Sequence, residues 1–212
     1  MQQKRIAVMV SGGGSNLQAI IDAIDSGYIK GCRIAIVISN KAGVFALERA
    51  RGAGIPGCVI TPAEFKDKHE YNRHLLKVLK ENDIDYIVLA GYLSILAPEI
   101  VDAYRYKIIN IHPSLIPSFC GMGFYGSRVH KAVLDYGVKL TGATVHFVDE
   151  QADTGPIILQ QAVEVQEGDT VDTLSKRVLE VEHKLLPLAV KLLVEGRLKV
   201  DGRWVSITKK EE

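Results

Sequence analysis

Short apolar runs alternate with stretches of helical periodicity throughout the first half of the chain. Residues 4–10 form the first run, rich in β-branched side chains and closed by the breaker cluster Ser11-Gly12-Gly13-Gly14-Ser15-Asn16, which predicts a buried strand. A helix should follow, with Leu17, Ile20, Ile21 and Ile24 on one face. Residues 33–39 (RIAIVIS) read as a second strand, 45–53 as a second helix, and 57–60 as a third strand. A third helix is expected over 67–81, with Leu75, Leu76 and Leu79 turned inward, followed by a strand over 84–90. A short helix over 98–104 and a fifth strand over 107–112 complete this part. Near-continuous apolar strands separated by helices predict a parallel sheet covered on both faces, so this region should be doubly wound.

Beyond residue 112 the pattern changes. Residues 140–149 (LTGATVHFVD) and 157–165 (IILQQAVEV) read as strands separated only by 150–156, which points to antiparallel pairing or at least to an end of the β-α-β order. A long amphipathic helix is expected over 171–195, carrying Leu174, Val178, Val181, Leu185, Leu188 and Leu192, and Pro187 should kink it. Asp201-Gly202, between Val200 and Trp204, predicts a type I′ hairpin. The segment 121–126, rich in glycine and aromatic residues, reads as a mobile loop or lid. The expected fold is therefore α/β, one domain over 1–212, with a doubly wound, mostly parallel sheet, antiparallel C-terminal strands and a long C-terminal helix.

Composition narrows the function without naming it. The 212 residues are 47% hydrophobic and 24% charged, which implies a packed core and excludes a disordered chain. Lys and Arg total 26 against 25 Asp and Glu, so no general field attracts nucleic acid or anionic lipid, and an anionic ligand must be held locally. The first apolar run is too short for a signal peptide core or a membrane span, so a cytoplasmic location is expected. Cys32, Cys58 and Cys120 form no CxxC pair and the histidines no HExxH motif, so neither disulfides nor a metal site is expected.

SGGGSN, between a strand and a helix, offers backbone N–H groups and a helix N-terminus to an anion. It lacks the Gly-Lys-Ser/Thr of a Walker A loop, and Leu17 stands where the third glycine of a dinucleotide fingerprint belongs. The second strand ends in Ser39-Asn40, with no carboxylate for a ribose hydroxyl, so a phosphate monoester fits better than a dinucleotide. The plainer alternative is a glycine turn capped by Ser15 or Asn16. In IINIHP, Asn110 and His112 are two apart near a strand end, so an amide and an imidazole project from one face where α/β sheets bind ligands. Asp149, Glu150 and Asp153 crowd the turn before Thr154-Gly155-Pro156. They form either a solvated acidic turn or the source of a carboxylate that raises the His112 pKa, giving a general acid usable near neutral pH.

Five segments in this order carry a family resemblance: SGGGSNLQAII at 11–21, SNKAG at 39–43, LAGYLSIL at 89–96, NIHPSLIPSF at 110–119 and HFVDEQADTGPII at 146–158. The chain resembles the folate-dependent phosphoribosylglycinamide formyltransferases, over essentially its whole length. NIHPSL alone is shared with methionyl-tRNA formyltransferase and formyltetrahydrofolate hydrolase, but the extra domain of each is not expected in 212 residues. The resemblance implies a Rossmann-like formyltransferase fold with a phosphate-binding half over about 1–106 and a folate-binding, catalytic half over about 107–212. It implies catalytic roles for Asn110, His112 and Asp153, ribonucleotide contacts from Gly14, Ser15, Asn16 and Glu182, and folate contacts from Lys68, Leu93, Ser94, Ile95, Leu96, Asn110, Val148, Asp149 and Glu150.

Three positions depart from the family pattern. Lys68 stands where arginine is frequent, Gln151 where glycine is common, and Cys120 opens a longer loop over 120–127. The implied partners are glycinamide ribonucleotide and 10-formyltetrahydrofolate as cosubstrate, with no metal, nucleic acid or membrane, and with a homodimer left open. The implied chemistry is direct amine attack on the formyl carbon, with Asn110 donating to the formyl oxygen and His112 as general acid. Two rivals from other classes are a dinucleotide-dependent oxidoreductase, which Asn40 opposes, and a noncatalytic sensor, which has no use for the Asn110 and His112 pair.

Overall fold

The computed structural model describes residues 3–209. The elements run β1 (Lys4–Val10), α1 (Ser15–Asp25), β2 (Cys32–Ser39), α2 (Phe45–Gly52), β3 (Gly57–Val59), α3 (Lys68–Glu81), β4 (Tyr86–Leu89) and α4 (Pro98–Ala103). They continue with β5 (Ile108–His112), α5 (Ser127–Tyr136), β6 (Leu140–Phe147), β7 (Ile157–Glu164), α6 (Val171–Val194), β8 (Leu198–Asp201) and β9 (Trp204–Ile207). Seven strands form one sheet in the order β3-β2-β1-β4-β5-β6-β7, parallel as far as β5 and antiparallel at β6 and β7. The expected doubly wound sheet with antiparallel later strands is the one observed.

Strand alternation divides the core in two. Ile6, Val8 and Val10 of β1 pack on one face with α1, α5 and α6, whereas Ala7 and Met9 pack on the other with α3 and α4. The same alternation in β5 gives Ile109 and Ile111 to the first core and Ile108 to the second, so Asn110 and His112 project from the second face. In β6, Ala143, Val145 and Phe147 enter the first core, which leaves Thr144 and His146 on the second face. Among the described residues, no buried apolar side chain of β6 or β7 belongs to the second core. The helical cover of that face stops near β5, and the uncovered part carries the polar groups.

Two local expectations are corrected. Residues 127–136 form helix α5, although the sequence suggested no element there; its buried stripe of Val129, His130 and Val133 is interrupted by a histidine, which hides the apolar period. Helix α6 runs on through buried Pro187, which removes one backbone donor from it. In the final hairpin Asp201 pairs with Trp204, so Gly202 and Arg203 occupy the turn. Positive φ at Gly202 and not at Arg203 matches the type II′ pattern rather than type I′.

Leu186 of α6 is fully buried in the first core. Leu186→Ala should therefore lower unfolding stability by about 2–5 kcal/mol, measured by urea titration with an unchanged m value. A loss below ~1 kcal/mol would show that the α6 contact does not anchor this face.

Candidate active site

Asn110 and His112 end β5, and their antiparallel partners on β6 are His146 and Thr144. Directly opposed residues share a face, so the register delivers His146 beside Asn110, with Asn110 Nδ2 at 3.1 Å from His146 Nε2. Asp153 arrives from the turn after β6. Asn110 Nδ2 donates to Asp153 Oδ1 at 3.4 Å, the Gly121 backbone N–H donates to Oδ2 at 2.9 Å, and His112 Nδ1 lies 3.5 Å from Oδ2. Asp153 has φ +58°, in the left-handed region that aspartate tolerates better than most residues.

The protons in this cluster follow from acceptor geometry. His112 Nε2 faces the Phe119 carbonyl at 2.9 Å, which can only accept, so Nε2 carries a proton. Phe119 itself has φ +50°, an unfavourable conformation for a bulky residue, held where its carbonyl meets both His112 and the Ser114 hydroxyl. His146 Nδ1 lies 2.8 Å from the Phe147 carbonyl, and its Nε2 lies between Asn110 Nδ2 at 3.1 Å and Asp153 Oδ1 at 3.6 Å.

Burial is the strongest influence on His112 and pushes its pKa below the ordinary 6.5, while Asp153 and the Phe119 carbonyl act upward without prevailing. The expectation that the carboxylate leaves His112 with a raised pKa is thus corrected: the ring is too deeply desolvated. Burial also acts on Asp153, upward, but His146, His112 and the Gly121 amide together hold the carboxyl below its usual range.

A cleft of 260 Å³ opens beside this cluster. Its wall includes Leu93, Ser94, Ile95, Leu96, Val148 and Asp149, and the segment 121–126 and Gln151 lie across it. The catalytic and folate-contact residues assigned by resemblance therefore meet at this cleft, with two exceptions. Lys68 is exposed at the start of α3 and does not line the cleft. Glu150 is drawn outward by Arg105, which pairs with it and lowers its pKa. Cys120 is half-buried and its thiol pKa is raised by burial and by Asp153, so it is no activated nucleophile.

The glycine loop forms a second centre. Gly14 takes φ +72° as the residue before α1, and a Cβ there would lie 2.6 Å from the Ala46 side chain, so both conformation and space require glycine. No side chain caps α1, contrary to the plainer reading of Ser15 or Asn16. Asn16 Nδ2 instead donates to Glu182 Oε2 of α6 at 2.6 Å, and Asn16 Oδ1 is buried without a protein partner. Glu182 is buried and its pKa is pushed up to about 7 by desolvation, against the opposing bond from Asn16. Ser15, Gln18, Arg49 and His183 border a second cavity of 380 Å³ beside the loop. Each site draws on both parts of the chain, since Leu93–Leu96 reach the cleft from before residue 107 and Glu182 reaches the loop from after it.

Sequence reasoning missed His146 as a site residue and Arg49 as the cation whose Nε donates to the Gly13 carbonyl at 2.9 Å. His146 was legible only as a polar break in an apolar strand. Its position needed the β5 to β6 register.

The sheet and this cluster define an α/β protein of the doubly wound class with a cluster of polar and titratable side chains beyond the carboxyl ends of its parallel strands. The formyl transferase family model matches residues 4–190, and the chain belongs to that family. It is 47% identical over 209 residues to the trifunctional purine biosynthetic protein adenosine-3 of Bos taurus, covering 97% of this chain and 20% of that protein. It is 42% identical to the chloroplastic phosphoribosylglycinamide formyltransferase of Arabidopsis thaliana, covering 93% of this chain and 68% of the relative. The crystal structure of glycinamide ribonucleotide transformylase 1 from Symbiobacterium toebii superposes with a TM-score of 0.92 at 42% identity, covering 98% of this chain and 95% of that one. The chain thus spans about a fifth of the length of the trifunctional relatives it matches. Among the described residues, no helix is long and apolar enough to cross a membrane.

Two titrations test these environments. NMR of the free protein should find His112 titrating below 6.5 and lower still in Asp153→Asn, because the variant removes an upward influence. An unchanged or higher value in the variant would mean that the carboxylate does not act on this ring. Glu182 binds its proton more tightly folded than unfolded, so its contribution to stability is full below about 4.5 and is lost as pH rises to about 7. Glu182→Gln should flatten stability across that interval and stabilise the protein at pH 8, as read from thermal midpoints at several pH values. Equal pH dependence in the two proteins would remove this account of Glu182.

Proposed function

We propose that this chain transfers the formyl group of 10-formyltetrahydrofolate to the amine of glycinamide ribonucleotide, a step of purine biosynthesis. The observation that carries the reading is the meeting of Asn110, His112 and Asp153, from separate segments, on one wall of an apolar cleft. Relatives and solved neighbours named for this reaction support it. The cleft fits the donor chemically, because the partly exposed side chains of Leu93 and Ile95 and the Val148 wall suit a flat heteroaromatic ring. On the ribonucleotide side, the uncapped N-terminus of α1, the Ser15 hydroxyl and Arg49 suit a phosphate, and Glu182 with the unpartnered Asn16 Oδ1 suits the polar groups beyond it.

In this reading the amine nitrogen bonds to the formyl carbon, and the carbon's bond to the folate nitrogen N10 breaks. Charge develops on the formyl oxygen, where Asn110 Nδ2 donates a hydrogen bond. His112 gives its proton to the leaving nitrogen, and its low pKa makes the imidazolium a strong acid. Asp153 opposes the burial of that charge and takes up the proton shed by the attacking amine, through water. His146, against both Asn110 and Asp153, orients the amide and the carboxylate; it is a positioning residue.

The decisive experiment follows folate deformylation by absorbance with and without glycinamide ribonucleotide. Turnover should require the ribonucleotide. Equally fast deformylation without it would identify a hydrolase and overturn the acceptor assignment. His112→Ala and Asp153→Asn should each lower turnover at least ~10²-fold with an unchanged circular dichroism spectrum. Near-wild-type turnover in either variant would remove the role assigned to that residue.

A further inference from the structure

The SNKAG segment and Ser94 take part in a polar path that the reaction scheme leaves unused. Ser11 follows β1, Asn40 follows β2, and Tyr92 and Ser94 follow β4, so three adjacent strands of the sheet contribute at their carboxyl ends. The Leu93 backbone N–H donates to Ser11 Oγ at 2.9 Å, and the Ser11 hydroxyl donates to Asn40 Oδ1 at 2.7 Å. Asn40 Nδ2 donates to Ser94 Oγ at 2.8 Å. The Tyr92 hydroxyl, two residues before Ser94, pairs with the Tyr71 hydroxyl of α3.

Ser11, Asn40, Tyr71 and Tyr92 are all buried. Each therefore needs its partner, and removing one leaves an unsatisfied group. Core packing holds this wall at its ends, where Tyr92 and Leu96 are buried, but not between them. Residues 92–96 have no regular secondary structure, and Leu93 and Ile95 are exposed, 46% and 40%, so core packing does not fix them. Asn40 does not itself line the cleft, so any effect of its loss on the cleft must pass through Ser94 or Ser11.

We propose that Asn40 is a positioning residue for the formyl donor: it ties Ser94 to Ser11, at the start of the glycine loop, and so fixes the Leu93–Leu96 wall in register with the ribonucleotide centre. The proposal rests on the reading that this wall holds the formyl folate. Its chemistry requires a side chain that accepts on one arm and donates on the other, which an amide supplies and a carboxylate does not.

The test uses the full chain with Asn40→Ala, Ser94→Ala, the double variant and Ser94→Thr. Three readouts are needed: hydrogen exchange across 91–97 without ligand, thermal midpoint, and kcat with KM for each substrate. Both alanine variants should exchange faster over 91–97 and raise the KM of the formyl donor about fivefold or more, the size of one net hydrogen bond. The ribonucleotide KM should stay within about twofold, and the double variant should be no worse than about the worse single, because both remove the same link. Ser94→Thr keeps the hydroxyl and should restore slow exchange across 91–97 in the ligand-free protein.

A lower thermal midpoint with unchanged donor KM would reduce Asn40 to a structural role and overturn the proposal. Fold-changes that multiply in the double variant, or equal increases in both KM values, would overturn it as well. If Asn40→Ala does not fold, Ser94→Ala, at a half-buried position, carries the same comparison with Ser94→Thr. A wild-type protein inactive with this substrate pair would instead sink the reading of the reaction, and the proposal with it, whereas the exchange rates would still report whether Asn40 restrains the wall.

Discussion

A carboxylate with only 15% of its side chain exposed must find compensation for the water it has lost, and Asp153 finds it from three directions. The Gly121 amide reaches it from the loop after β5, Asn110 and His112 from β5, and His146 from β6. The partners belong to three stretches of chain, so satisfying one charge brings the loop, both strands and the turn at 149–154 together. Removing the charge loosens all of them at once, whereas removing one partner leaves the others in place. This is why the candidate site is a cluster around an anion rather than a lone histidine.

The sheet makes that cluster possible by exposing one face unequally. Helices α1, α5 and α6 cover the first face as far as β6 and β7, while the second core includes no buried apolar residue of either strand among those described. Polar residues on β5 and β6 can therefore turn to the second face without disturbing the core. The cleft is roofed by irregular chain, 91–97 on one side and 121–126 on the other, held by packing at Tyr92, Leu96 and Phe124 and by hydrogen bonds. The buried path from Ser11 through Asn40 to Ser94 belongs to this second kind of support.

Opposing electrostatics distinguish the two centres. His112 loses affinity for its proton through burial, and Glu182 gains affinity through the same cause acting on the opposite sign of charge. One centre thus holds a readily deprotonated ring beside a carboxyl held below its usual pKa, and the other a carboxyl that can be neutral near physiological pH. Both states depend on depth beneath the surface, which no residue carries by itself.

The strand and helix order, the parallel half, the change to antiparallel strands and the glycine loop were all legible from local pattern, because apolar period and breaker residues act over a few neighbours. Asn110 and His112 were legible for the same reason, as two polar residues on one face of an apolar strand. Helix α5 was hidden by His130 in its buried stripe, and the hairpin turn was misread by one residue because register is set by pairing along the whole ladder. The place of His146 beside Asn110, the outward turn of Glu150 to Arg105, the bond between Asn16 and Glu182 and the downward pull on His112 were decided only in three dimensions. Sequence alone determines which groups are available and which local face they share; tertiary structure decides their partners and their depth, because distance and desolvation depend on segments far apart in the chain.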